Sequence, residues 1–218
     1  MLLMRTATLA TLALVSLSVG SEAGAGQSAP YASTPDWVIG PIIKGRNYSR
    51  GMPLHPSPGR GGAFQIELPQ APGSVHYVTF PHGSLSGKKR IVMRFRIVGD
   101  PGVRIVPRGY PQWTAKITPY FQRRGDNWTG RGRFETYRWY ATFASKAAVP
   151  GEHQVIVPLN GNWTAVEGSS ARSNPVAFRE ALSDAGEVGF VLGGGDGYGH
   201  GAYAIGRARL IVTSYRIE

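Results

Sequence analysis

The chain has 218 residues, no cysteine and a formal charge of +11. Without cysteine it has no disulfides, which a domain of this size does not need, and a lipoprotein anchor is excluded. The charge points to polyanions as partners: acidic polysaccharide, lipopolysaccharide, cell-wall polymers or an anionic membrane surface.

Residues 1–25 read as a signal peptide. Arg5 supplies the positive start, residues 7–19 are apolar, and Ala23-Gly24-Ala25 offers a small-residue cleavage site. The apolar run is short and carries Thr and Ser, which favours cleavage over anchoring. No later stretch is long enough to span a bilayer, so no transmembrane segment is expected after cleavage. Export without cysteine suits a bacterial periplasmic or extracellular protein, an address that argues against nucleic acid as a partner. Three Asn-X-Ser/Thr triplets, at Asn47, Asn127 and Asn162, read as ordinary loop residues. Residues 26–35 are small and polar and read as a flexible leader, and residues 36–218 as a single domain.

Three segments of that domain alternate strongly. In residues 90–98, Ile91, Met93, Phe95 and Ile97 share one face, with Arg94 and Arg96 on the other. In residues 113–122, Trp113, Ala115, Ile117 and Phe121 oppose Thr114, Lys116, Thr118, Tyr120 and Gln122. In residues 137–143, Tyr137, Trp139, Ala141 and Phe143 oppose Arg138, Tyr140 and Thr142. Weaker strands are predicted over 37–43, 63–68, 75–80, 153–159, 188–192 and 208–217. Glycine and proline punctuate the gaps, as in an all-β antiparallel β-sandwich. One short helix is predicted near residues 175–185. Asn174 is its cap, Pro175 its first turn and Gly186 its end, with Val176, Phe178, Ala181 and Leu182 on the packing side.

Placed side by side, the three best strands would present Arg94, Arg96, Lys116, Tyr120, Gln122, Arg138 and Tyr140 on one face. Flat rings beside forked donors suit an acidic or hydroxyl-rich glycan. The same side chains also suit cross-strand ladders with no ligand. Trp113 and Trp139 fall on apolar faces and are expected in the core. Trp128 and Trp163 sit in a repeated Asn-Trp-Thr triplet beside turn residues, with Arg123 nearby. They are candidate ring-stacking platforms or, alternatively, loop-closing plugs. Residues 193–201 form a glycine-rich loop that matches neither a dinucleotide fingerprint nor a Walker loop. Asp196, Tyr198 and His200 would project from it toward a ligand, or it is a structural bulge.

No catalytic signature accompanies these residues. The acids are scattered, and Glu-X-Asp-X-X-Glu and Gly-X-Ser-X-Gly are absent. The strand motifs of sandwich alginate lyases are missing, and Tyr120-Phe121-Gln122-Arg123-Arg124 only echoes one of them. The strand-rich pattern, Tyr137-Arg138-Trp139-Tyr140, Asn162-Trp163 and the late segment 188–201 resemble a jelly-roll, galactose-binding-like carbohydrate-binding module. That resemblance implies a jelly roll, sugar contacts from aromatic and polar side chains, and possible structural calcium with no ligand set that can be matched. The expected function is an exported, non-catalytic protein that binds acidic polysaccharide or cell-envelope glycan. Lys116, Tyr120, Arg123, Trp128, Arg138, Tyr140, Trp163, Asp196, Tyr198 and His200 are its expected ligand contacts. The alternatives are a uronate lyase using Tyr140 or His200 for proton transfer, and a structural or adhesive envelope protein.

Overall fold

A computed structural model of the chain describes residues 37–72, 76–193 and 201–218. The segments read as signal peptide and leader, and the residues Asp196, Tyr198 and His200 read as a glycine-rich loop, lie outside the described residues. Nine strands carry the architecture: β1 (Val38–Gly40), β2 (Phe64–Glu67), β3 (His76–Pro81), β4 (Arg90–Gly99), β5 (Lys116–Arg123), β6 (Arg138–Tyr140), β7 (Gly151–Pro158), β8 (Ala185–Gly193) and β9 (Ala208–Ile217). Helix α1 spans Pro175–Ser183.

The strands form two antiparallel sheets. The first runs β7-β4-β9-β2, and the second β1-β3-β8-β5-β6. Strand β2 pairs with β9, β3 with β8, β4 with β7 and β5 with β6. These nested pairs are one long antiparallel hairpin wound around a core, which is the jelly-roll connection. The alternation explains why the sheets close on each other. Ile91, Met93, Phe95 and Ile97 of β4 face Ile117 and Phe121 of β5 and Trp139 of β6 in one buried cluster. Helix α1 seals an end of it through Phe178, whose ring lies 4.9 Å from Trp139 and 5.9 Å from Phe121. Ala181 is also buried, whereas Val176 is exposed. Asn174 makes no side-chain cap bond, and the chain passes from α1 into β8 at Ala185, before Gly186.

Three expectations need correction. The three best strands do not share a sheet: β4 is in the first, β5 and β6 in the second. Arg94 and Arg96 therefore line a separate surface, where Arg94 donates to Gln154 at 2.9 Å and Arg96 pairs with Glu152 at 3.5 Å. There the ladder reading holds. Trp113 is not in the core. Strand β5 begins only at Lys116, and Trp113 is half-exposed, stacked on Tyr110 at 4.7 Å. Trp163, a candidate stacking platform or loop-closing plug, is 0% exposed and therefore no platform. Its ring packs on Phe121 at 5.1 Å, and its Nε1 donates to the Pro158 carbonyl at 3.1 Å.

Candidate functional site

The outer face of the second sheet is neither bland nor solvated. Period-2 alternation turns Tyr120 and Gln122 of β5, Arg138 and Tyr140 of β6, Tyr77 and Thr79 of β3, and Glu187 and Val191 of β8 to this side. Register sets them abreast: Tyr120 lies opposite Tyr140 and Gln122 opposite Arg138. Glu187 lies opposite Gln122 on one side and Pro81 on the other. Gly189 sits between Tyr120 and Thr79. A Cβ there would overlap the Val78 carbonyl, so glycine permits the close approach of β3 and β8.

Three tyrosines form the centre of this face. Their rings meet edge-on or tilted, Tyr77 to Tyr120 at 5.0 Å and Tyr120 to Tyr140 at 5.2 Å. The Tyr77 and Tyr140 hydroxyls hydrogen-bond to each other at 2.8 Å, and Tyr120 donates to Gln122 Oε1 at 2.6 Å. Burial pushes the Tyr120 and Tyr140 hydroxyls well above the usual phenol range, and raises Tyr77 too.

The network continues into charge. Gln122 Nε2 donates to Asp126 Oδ2 at 3.1 Å, and the same oxygen lies 2.9 Å from Arg138 Nε. The Asp126 side chain is sealed from solvent and that of Arg138 nearly so. Arg138 Nε makes no hydrogen bond of good geometry, so its contact with Asp126 is one of charge. Burial raises the Asp126 carboxyl, and the Arg138 charge opposes that shift. Arg138 also donates through Nη2 to the Trp128 carbonyl at 3.3 Å and lies 5.0 Å over the Trp128 ring.

Trp128 is held in place by its own loop. Its amide donates to Asp126 Oδ1 at 3.1 Å, and Thr129's to Asn127 Oδ1 at 3.0 Å. These two Asx turns set Trp128 at φ 67°, the left-handed region, which is rare for a bulky residue and costs about 1–3 kcal/mol. The half-buried ring meets Tyr77 edge-on at 5.1 Å. It walls a cleft of about 190 Å³ whose lining includes Val38, Pro41, Tyr77, Thr79 and Glu187. Thr79 Oγ1 donates to Glu187 Oε2 at 3.0 Å.

Of the expected contact residues, Tyr120, Trp128, Arg138 and Tyr140 are brought together. Only Trp128 reaches the cleft. Tyr120 and Tyr140 are essentially inaccessible and support its floor, and Arg138 is engaged by Asp126 and Trp128. Arg123 is held elsewhere, by Asp184 at 3.1 Å and Glu180 at 3.3 Å, over the Tyr137 ring. Lys116 shares the face but lies four residues from Tyr120, about 13 Å along the strand. Trp163 belongs to the core, which rules out a stacking platform there. Among the described residues no three His, Asp or Glu side chains converge as a metal-ligand group. Sequence reasoning missed Tyr77, Thr79, Asp126 and Glu187. The usable signal was the alternation of Tyr77 and Thr79 with Val78 and Phe80, and of Glu187 with Val188. No helix among the described residues is long and apolar enough to cross a membrane. No protein-family model matches the chain, and no curated protein matches it.

Proposed function

We propose that the chain is an exported, non-catalytic glycan-binding protein of the periplasm or cell exterior, and that a sugar ring occupies the Trp128 cleft. The observation that carries this reading is Trp128 itself. A large ring is locked at a costly backbone angle beside an opening, above a hydroxyl and a carboxylate. Strain of this kind persists only where surrounding structure enforces it, and it gathers at binding sites. An apolar wall with a few convergent polar groups is the composition of a sugar subsite.

The basic charge supports long-range attraction to anionic envelope polymers. It does not supply the cleft with a free cation, because Arg138 is engaged by Asp126. The lyase reading gains no support from Tyr140, a residue 1% exposed whose hydroxyl is bonded to Tyr77. The test is an array of neutral, amino and acidic oligosaccharides read at low and moderate salt. Binding through the cleft is expected to survive salt, whereas purely electrostatic adhesion would be released. Trp128→Ala is expected to weaken binding at least about tenfold. The protein should stay folded, since the ring is only half-buried and its edge-on pair with Tyr77 adds about 0.5–1.5 kcal/mol beyond the area it buries. Unchanged affinity in Trp128→Ala would refute the cleft as the site.

A further inference from the structure

The cleft carries a signal about which sugar it takes. Two carboxylates belong to this sheet face, and they are treated differently. Asp126 is closed away against Arg138 at 2.9 Å. Glu187 lines the cleft, is half-buried, and accepts a bond from Thr79 at 3.0 Å. No Lys, Arg or His of the described residues comes within ion-pair distance of it. A chain with 24 Lys and Arg and only 13 Asp and Glu thus leaves an acid of its cleft without a cation from the described residues. Burial and the nearby Asp126 charge raise the Glu187 carboxyl, as expected for an anion awaiting a partner. The rest of the lining is apolar, Val38, Pro41, Ile42 and Pro81 among it, or aromatic. Tyr77 and Trp128 both line the opening, and aromatic faces attract cations.

We propose that the Glu187 cleft selects a sugar bearing a free amino group, a glucosamine-type residue, over neutral, N-acetylated and uronate sugars. The ammonium pairs with the Glu187 carboxylate between Tyr77 and Trp128, and the ring hydroxyls meet Thr79. This deepens the glycan-binding reading and rests on it. It reverses the acidic ligand suggested by overall charge, because selectivity is set by the groups lining the cleft. A uronate would place its carboxylate against Glu187, and N-acetylation removes the charge that Glu187 complements.

The test is calorimetric titration of the full-length protein with four trimers: glucosamine, N-acetylglucosamine, cellotriose and galacturonate. A pH of about 6 keeps the sugar amine charged. The glucosamine trimer is expected to bind at least about tenfold tighter than cellotriose, with galacturonate the weakest. Glu187→Gln keeps an acceptor for Thr79 and removes a charge that no cation of the described residues meets, so it is expected to fold. In it the glucosamine preference over cellotriose should fall to within about twofold of unity. Cellotriose binding without an amino preference, or a preference that survives Glu187→Gln, would overturn this inference and leave the glycan reading standing. Binding of none of the four trimers would overturn both.

Discussion

Arg138→Met is expected to destabilise the fold by about 3–5 kcal/mol, because removing one partner of a buried ion pair strands the other. Asp126 would be left sealed from solvent with Gln122 and the Trp128 and Asn127 amides, but no cation, to serve its charge. The Trp128 ring would also lose the guanidinium that packs on it. The deficit has a pH signature. Burial already raises the Asp126 carboxyl in the folded state, and losing Arg138 raises it further. A carboxyl whose folded pKa is raised contributes stability below its unfolded pKa of about 3.9, and that contribution is lost as pH rises through the folded pKa. The penalty should therefore be largest at neutral pH and shrink toward about pH 4. Arg138→Met with Asp126→Asn should recover part of it, since the stranded charge is gone. Urea denaturation of the single and double variants at both pH values measures this. A single-variant cost below about 1 kcal/mol, or one independent of pH, would show that Asp126 and Arg138 do not act as a buried pair.

Trp163→Ala is expected to cost about 3–5 kcal/mol for a different reason. Its ring is fully buried against Phe121, with Phe143 and Phe178 at 6.4 Å. Truncation leaves a cavity beneath α1 and unpairs the Pro158 carbonyl from Nε1. Trp163→Phe should cost less, because a ring still fills part of the space. Sugar affinity of the folded fraction should be unchanged in both variants, in contrast to Trp128→Ala. A shift in urea midpoint corresponding to less than about 1 kcal/mol would place Trp163 outside the core.

These two tryptophans show where the sequence was legible and where it was not. Both lie in the same triplet, Asn-Trp-Thr, and sequence reading treats them alike. The difference comes from what precedes each. Asp126 captures the Trp128 amide and turns that ring outward, whereas the Trp163 amide bonds to Gly161 and its ring enters the core. Faces were readable wherever a strand buries one side and leaves polar groups on the other, as in β4, β5 and β6. Strand β3 was harder because polar His76 is buried at the parity of Val78 and Phe80, which mutes the contrast that marks Tyr77 and Thr79. The assignment of β4 to one sheet and of β5 and β6 to the other was beyond periodicity. Pairings such as β2 with β9 join residues some 140 positions apart and leave no local trace. The alternation also ran too far at Trp113, where two turns, at 108–109 and 111–112, precede the start of β5.

The tryptophans also supply the most direct test of the proposed glycan site. The chain has five, so ¹⁵N labelling gives five indole N–H signals, at Trp37, Trp113, Trp128, Trp139 and Trp163. Trp37, Trp139 and Trp163 are buried, and the indoles of Trp139 and Trp163 donate to backbone carbonyls. Titration with the tightest-binding oligosaccharide should move the Trp128 signal in a saturable way and leave those three in place. A saturable shift at Trp113 with Trp128 unmoved would transfer the site to the exposed Tyr110–Trp113 pair, and would contradict the Trp128 cleft as the place where this protein holds its ligand.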